Sequence, residues 1–108
     1  MASLRWTSEA LGRLEDIELY ITQDNPAAAK NQISKLLDRA AQLVVAPRSG
    51  RVVPDYQDED VREILEAPYR IIYYLNGDYI EILSVMHYRQ LLPRKQDLLR
   101  SRERQGSQ

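Results

Sequence analysis

Cysteine is absent from this 108-residue chain, so neither a disulfide nor a thiolate zinc site can belong to its chemistry. Histidine occurs once, at His87, which excludes a histidine-rich metal site. No apolar run approaches the roughly 20 residues that a membrane span needs. The opening Met1-Ala2-Ser3-Leu4-Arg5-Trp6 carries no signal-peptide hydrophobic region. The expectation is a cytoplasmic protein with no membrane contact, no metal and no cofactor. Internal repeats and low-complexity segments are missing too. What remains is 44% hydrophobic and 29% charged, the make-up of one ordinary globular domain with a single core.

Lysine is scarce, limited to Lys30, Lys35 and Lys95, and the charge is unevenly placed. Arg94, Lys95, Arg100, Arg102 and Arg104 stand against Asp97 and Glu103, which gives residues 93–108 a net of +3. The preceding 92 residues are then at −4 within an overall −1. A protein that grips a phosphate backbone by itself shows a basic body, because each neutralised phosphate needs a cation. This body is acidic.

Ser3–Trp6 alternates apolar and polar residues, as an edge strand does. Thr7 or Ser8 then offers a helix cap, with Glu9 in the first turn where the helix dipole favours an acid. Ala10, Leu14, Ile17 and Ile21 make one helical stripe that ends near Asp24. Asn25-Pro26 caps and opens a second helix, whose stripe Ala29, Ile33, Leu36, Leu37, Ala40, Leu43 and Val44 runs until Pro47. A link this short makes the two helices antiparallel neighbours, a hairpin over 8–45. Residues 46–60, with two prolines, a glycine and Asp55, Asp58, Glu59 and Asp60, read as a loop. Val61–Ala67, Tyr69–Leu75 and Tyr79–His87 read as strands, the last two joined by the turn Asn76-Gly77-Asp78. Beyond Pro93 the chain reads as a basic tail, a short helix or a mobile end.

Strict alternation from that turn divides the side chains into two faces. Tyr69, Ile71, Tyr73, Leu75, Ile80, Ile82, Ser84 and Met86 form one, nearly all apolar, which should receive the helical hairpin. Arg70, Ile72, Tyr74, Tyr79, Glu81, Leu83, Val85 and His87 form the other, mixed in character, and no expected element is left over to cover it. Ile72, Tyr74, Leu83 and Val85 are therefore the expected partner-binding residues. Arg70 and Glu81 lie nearly opposite, as a cross-strand ion pair would. Glu63 and Glu66 read as solvated strand charges.

The order strand, helical hairpin, Pro/Gly loop, three strands resembles the RelE/ParE toxin superfamily of type II toxin–antitoxin systems. Thr7-Ser8-Glu9-Ala10 with Leu14-Glu15-Asp16-Ile17 and Tyr20-Ile21 is similar to its first helix. Asn25-Pro26-Ala27-Ala28-Ala29 is similar to its helix joint, and Pro47-Arg48-Ser49-Gly50-Arg51-Val52-Val53-Pro54 to its central loop. Val61-Arg62-Glu63-Ile64, Pro68-Tyr69-Arg70-Ile71-Ile72-Tyr73 and Ile82-Leu83-Ser84-Val85-Met86-His87 are similar to its strands. The resemblance spans about residues 4–92 and implies an α+β fold, a helical hairpin packed on one face of a small, mainly antiparallel sheet of three or four strands. It divides the chain into a toxin domain, 1–92, and the basic tail, 93–108.

The resemblance also implies a toxin held by a cognate antitoxin, which meets operator DNA only through the antitoxin complex. ParE-like members poison DNA gyrase, whereas RelE-like members cut mRNA on the ribosome. In the second branch the acid, base and phosphate-binding groups would come from Arg70, His87, Glu63 and Arg89, with Tyr88 and Glu66 nearby. A ribonuclease seated in the ribosome calls for a strongly basic cleft, and the acidic body therefore favours the ParE-like branch. The favoured reading is thus a gyrase inhibitor with no catalytic residue, whose target contacts are Arg70, Arg89, Arg94 and Lys95. A copy that only binds its antitoxin, and an unrelated α+β module, are the remaining alternatives.

Overall fold

A computed structural model describes residues 2–106, with side chains through Arg102. Met1, Ser107 and Gln108 lie outside the described residues, as do the side chains of Glu103 and Arg104 counted in the basic tail. The elements are β1 (Ser3–Trp6), α1 (Ser8–Thr22), α2 (Pro26–Ala41), β2 (Arg51–Val52), β3 (Val61–Glu66), β4 (Tyr69–Asn76), β5 (Tyr79–His87) and α3 (Lys95–Gly106). The strands form one five-stranded sheet in the order β1-β5-β4-β3-β2, antiparallel except for the β1–β5 pair. The fold is α+β as expected, with one strand more than the upper expectation. The extra strand is β2, two residues inside the stretch read as a loop.

Local chemistry sets the helices. Asn25 caps α2 by accepting the Ala28 N–H at 3.1 Å, and Pro26 opens it. Thr7 caps α1 by accepting the Ala10 N–H at 3.1 Å. Its hydroxyl also donates to the Ile82 carbonyl at 3.0 Å, and its own N–H reaches the same carbonyl at 3.1 Å. One buried threonine thus starts the helix and ties it to β5.

Thr7 grips β5 where that strand is irregular. The β4–β5 turn is Gly77-Asp78, with Gly77 at φ +58, so Asn76 pairs with Tyr79 and Leu75 with Ile80. Between Ile72 and Tyr73 the register slips, because Tyr73 faces Ile82 while Ile72 faces Ser84. Leu83 is the extra residue of a bulge. Strict alternation therefore fails beyond it. Val85 and His87 turn toward the helical hairpin opposite Ile71 and Tyr69, and Met86 turns to the far face opposite Arg70.

The sheet is covered on both sides. Ala10, Leu14, Leu36, Ala40 and Leu43 of the hairpin meet Ile71, Tyr73, Ile80, Ile82 and Val85 on one face. On the other, Leu98 and Leu99 of α3, with Val53 and Tyr56, close over Val61, Ile72, Leu83 and Met86. The face expected to lack a cover has one. Leu98 is 5% exposed and Ser101 4%, so the start of the basic tail is part of the core. Arg102 anchors this layer with a 2.7 Å bond to Glu81 and by lying 4.3 Å over the Tyr74 ring. At the other end of α3 the Tyr56 hydroxyl donates to the Pro93 carbonyl at 2.5 Å, and Lys95 pairs with Asp58 at 3.4 Å.

Candidate functional site

Glu63 sits on β3 facing α3 and is only 1% exposed. A carboxylate so buried must be paired or it loses its charge. Two arginines hold it. Arg51, directly opposite on β2, reaches Oε2 through Nε at 2.7 Å. Arg70, diagonal on β4, reaches Oε1 through Nη1 at 3.1 Å. Arg70 also donates through Nη2 to the Gln90 carbonyl at 3.3 Å, while its buried Nε has no partner among the described residues. The expected Arg70–Glu81 pair does not form. Arg70 stands opposite Met86, and Glu81 is bound by Arg102 instead. Glu63 is likewise no solvated strand charge.

A cavity of about 300 Å³ opens beside Arg70, lined by Arg51, Leu65, Ala67, Tyr69 and Tyr88 as well. His87 faces the other way. It lines a second cavity of about 430 Å³ against α1, with Arg13, Asp16, Ile17, Tyr20 and Gln90, and Tyr69 borders both cavities. Its ring stands edge-on to Tyr69 at 5.8 Å and stacks on Tyr88 at 5.1 Å. Its Nδ1 accepts the Arg89 backbone N–H at 3.1 Å. In the neutral ring that bond selects the tautomer with its proton on Nε2. Arg89 itself is exposed, its guanidinium 5.8 Å from the Tyr88 ring centre.

Of the residues that could have made a ribonuclease site, Arg70 and Glu63 are brought together as an ion pair, and His87 stands outside that pairing. Arg70 and Glu63 neutralise each other on the α3 face, and His87 lies on the hairpin face. Among the residues expected to contact a target, Arg89 and Arg94 are exposed. Arg94 is paired with Asp97 at 3.0 Å, and that pairing is the leading reason the Asp97 carboxyl lies below its usual range. Lys95 is tied to Asp58, and Arg70 keeps only 12% of its side chain accessible. Of the expected partner-binding residues, Ile72 and Leu83 are sealed under α3 and Val85 under the hairpin, at 0%, 0% and 1% exposure. Only Tyr74 keeps some accessible surface. Sequence reasoning missed Arg51 and Arg102, the cations that hold the two buried carboxylates, because one lies on a two-residue strand and the other in the tail. Among the described residues no group of three or more acids and His87 is placed to hold a metal.

Three comparisons bear on this arrangement. Residues 4–92 match the family model described as the ParE toxin of the type II toxin–antitoxin system parDE. The chain belongs to the ParE toxin family. A Sinorhizobium fredii protein named "Putative toxin Y4kP" is 37% identical over 95 residues, covering 83% of this chain and 92% of that protein. A chain from the solved structure titled "Chromosomal ParDE TA system from P. aeruginosa" superposes with a TM-score of 0.68 at 26% identity, covering 81% of this chain and 96% of that one. This chain is thus a ParE-type toxin of a type II toxin–antitoxin module, and α3 lies beyond the part the family model matches.

Proposed function

We propose that this ParE-type toxin arrests growth by inhibiting DNA gyrase, and that a cognate antitoxin neutralises it. The observation that carries the choice is the separation of His87 from the Arg70–Glu63 pair across the two faces of the sheet. RNA cleavage by a side-chain base and acid requires those groups within hydrogen-bond reach of one phosphodiester. A gyrase inhibitor has no such requirement and needs only a surface that fits its target. The acidic body supports the same reading, since it offers little to a ribosomal cleft. Arg89 and Arg94 are the accessible cations through which such a contact runs.

The test pairs two assays on the purified toxin. Supercoiling by gyrase should be inhibited with accumulation of cleaved DNA, and mRNA on ribosomes should stay intact. His87→Gln should keep most of the toxicity, whereas an enzyme relying on that imidazole would lose about 100-fold or more in rate. Codon-specific mRNA cuts that disappear with His87→Gln would move the protein to the ribonuclease branch.

A further inference from the structure

With the α3 face sealed, the antitoxin needs another surface, and one stands out at the far end of β3, β4 and β5. We propose that the patch around Leu65, Tyr88 and Leu91 is the docking site for an acidic, apolar-bearing extended segment of the antitoxin. This rests on the antitoxin reading above and adds where, and by what chemistry, the partner binds.

Three observations meet there. The first is apolar exposure, since Leu65 is 56% accessible, Tyr88 48% and Leu91 93%. Leu65 and Tyr88 share the wall of the 300 Å³ cavity, and Leu91 follows Gln90, whose carbonyl Arg70 holds. Apolar groups ringed by charge mark interaction surfaces.

The second is charge. Arg51 and Arg70 line the same cavity, Arg89 lies over Tyr88, and Arg39 donates to the Leu65 carbonyl at 3.3 Å. The acids on the neighbouring strand are Glu63, already held between two of these arginines, and Glu66, on the hairpin side of β3. Glu63 offsets one of these four arginines, and the net-positive cluster that remains, on a body that is net −4, favours an acidic partner.

The third is an open sheet edge. Val61 turns its carbonyl toward β2, where it accepts the Val53 N–H, and alternation turns Leu65 the same way. Yet β2 pairs only Arg62 and Glu63. Alternation therefore turns the Leu65 backbone outward past the end of β2, and among the described residues its carbonyl is met by the Arg39 side chain. An extended segment can continue the sheet there and place alternate side chains in the cavity.

These features favour a peptide over nucleic acid, because exposed leucines offer nothing to a sugar–phosphate backbone. They also favour the antitoxin over a second copy of this chain. The acidic loop 55–60 is tied down through Asp58 and Tyr56, and the acids of α1 lie on a helix that cannot extend a strand edge.

The experiment co-expresses the full chain with the protein of its adjoining reading frame and measures Kd by calorimetry. Leu65→Glu and Arg89→Glu, both at exposed positions, should each raise Kd by roughly tenfold or more, and the parental affinity should weaken as salt rises. Leu19→Glu, on the outer side of α1, should bind like the parent. Parental Kd in both patch variants overturns the proposal. So does a parental dimer, seen by light scattering, that both variants dissociate without changing Kd, because the patch would then be a self-interface. If the parent forms no complex at all, the antitoxin reading itself falls and the docking site with it.

Discussion

At Gly50 an added Cβ would lie 2.5 Å from the Tyr73 hydroxyl, 2.6 Å from the Glu63 carbonyl oxygen and 2.8 Å from the Tyr73 ring. Backbone on one side and a fully buried tyrosine on the other leave it nowhere to go. The contact is also polar, since the Tyr73 hydroxyl accepts the Gly50 N–H at 3.0 Å and donates to the Pro47 carbonyl at 2.8 Å. This single side chain fixes the loop that delivers Arg51 to Glu63. Gly50→Ala should therefore destabilise by about 1–3 kcal/mol through overpacking. Tyr73→Phe should cost a similar ~1–3 kcal/mol by stranding the buried Gly50 N–H and the part-buried Pro47 carbonyl. Gly77→Ala meets no atom within 4 Å but sits at φ +58, and should cost only about 1 kcal/mol. Urea unfolding of the three variants measures this directly. A parental midpoint for Gly50→Ala would mean that the loop does not close on Tyr73.

At the scale of elements, α3 is what the far face depends on. Leu98 fills a cluster with Ile72, Leu83 and Met86, so Leu98→Ala should cost roughly 2–4 kcal/mol. Leu11→Ala, at 45% exposure on α1, should stay within about 0.5 kcal/mol of the parent. Equal effects from the two would show that α3 does not cap the sheet in solution. The starts of α1 and α2 and the β4–β5 hairpin were legible in the sequence because caps and turns are local: Thr7, Asn25-Pro26 and the Gly77 turn all act where their residue types place them. The α+β class and the hairpin followed from the same signals. What alternation could not carry was Leu83. The bulge sits where Thr7 captures the Ile82 carbonyl from across the fold, and one extra residue sends Val85 and His87 to the opposite face. The cover of the far face was hidden for a related reason. Residues 92–102 look polar, and Leu92, Leu98 and Leu99 meeting the sheet turn them into a layer. The candidate site suffered most from these two facts. Arg70, Glu63, His87 and Arg89 could be named from the sequence, but which of them meet depended on the face each one occupies.

The whole molecule is three layers, and its buried and partly buried tyrosines join them. Tyr69 and Tyr73 lie between sheet and hairpin, while Tyr56 lies beneath the start of α3. All three phenols are pushed above their ordinary value of 10.0, in each case chiefly by burial, which disfavours the charged tyrosinate. For Tyr73 the Gly50 N–H and neighbouring arginines pull the other way and do not prevail; for Tyr56, Arg70 opposes burial with the same outcome. A folded pKa above the unfolded one means that the native state keeps its proton after the unfolded chain has lost it. The stability contributed is then fully present below pH 10 and is lost as pH rises through the folded value. Each such group steepens the decline by up to about 1.4 kcal/mol per pH unit. The parent should therefore lose stability sharply above pH 10, and Tyr73→Phe should lose it more gently because one titrating group is gone. Since Tyr73→Phe starts from a deficit at neutral pH, the two stability curves should converge as the solution becomes alkaline. Urea midpoints taken from pH 7 to 11 decide the matter. Parallel curves would show that the Tyr73 phenol does not titrate against burial, and with that the hydroxyl would lose its place as the buried link between β4 and the loop at Gly50.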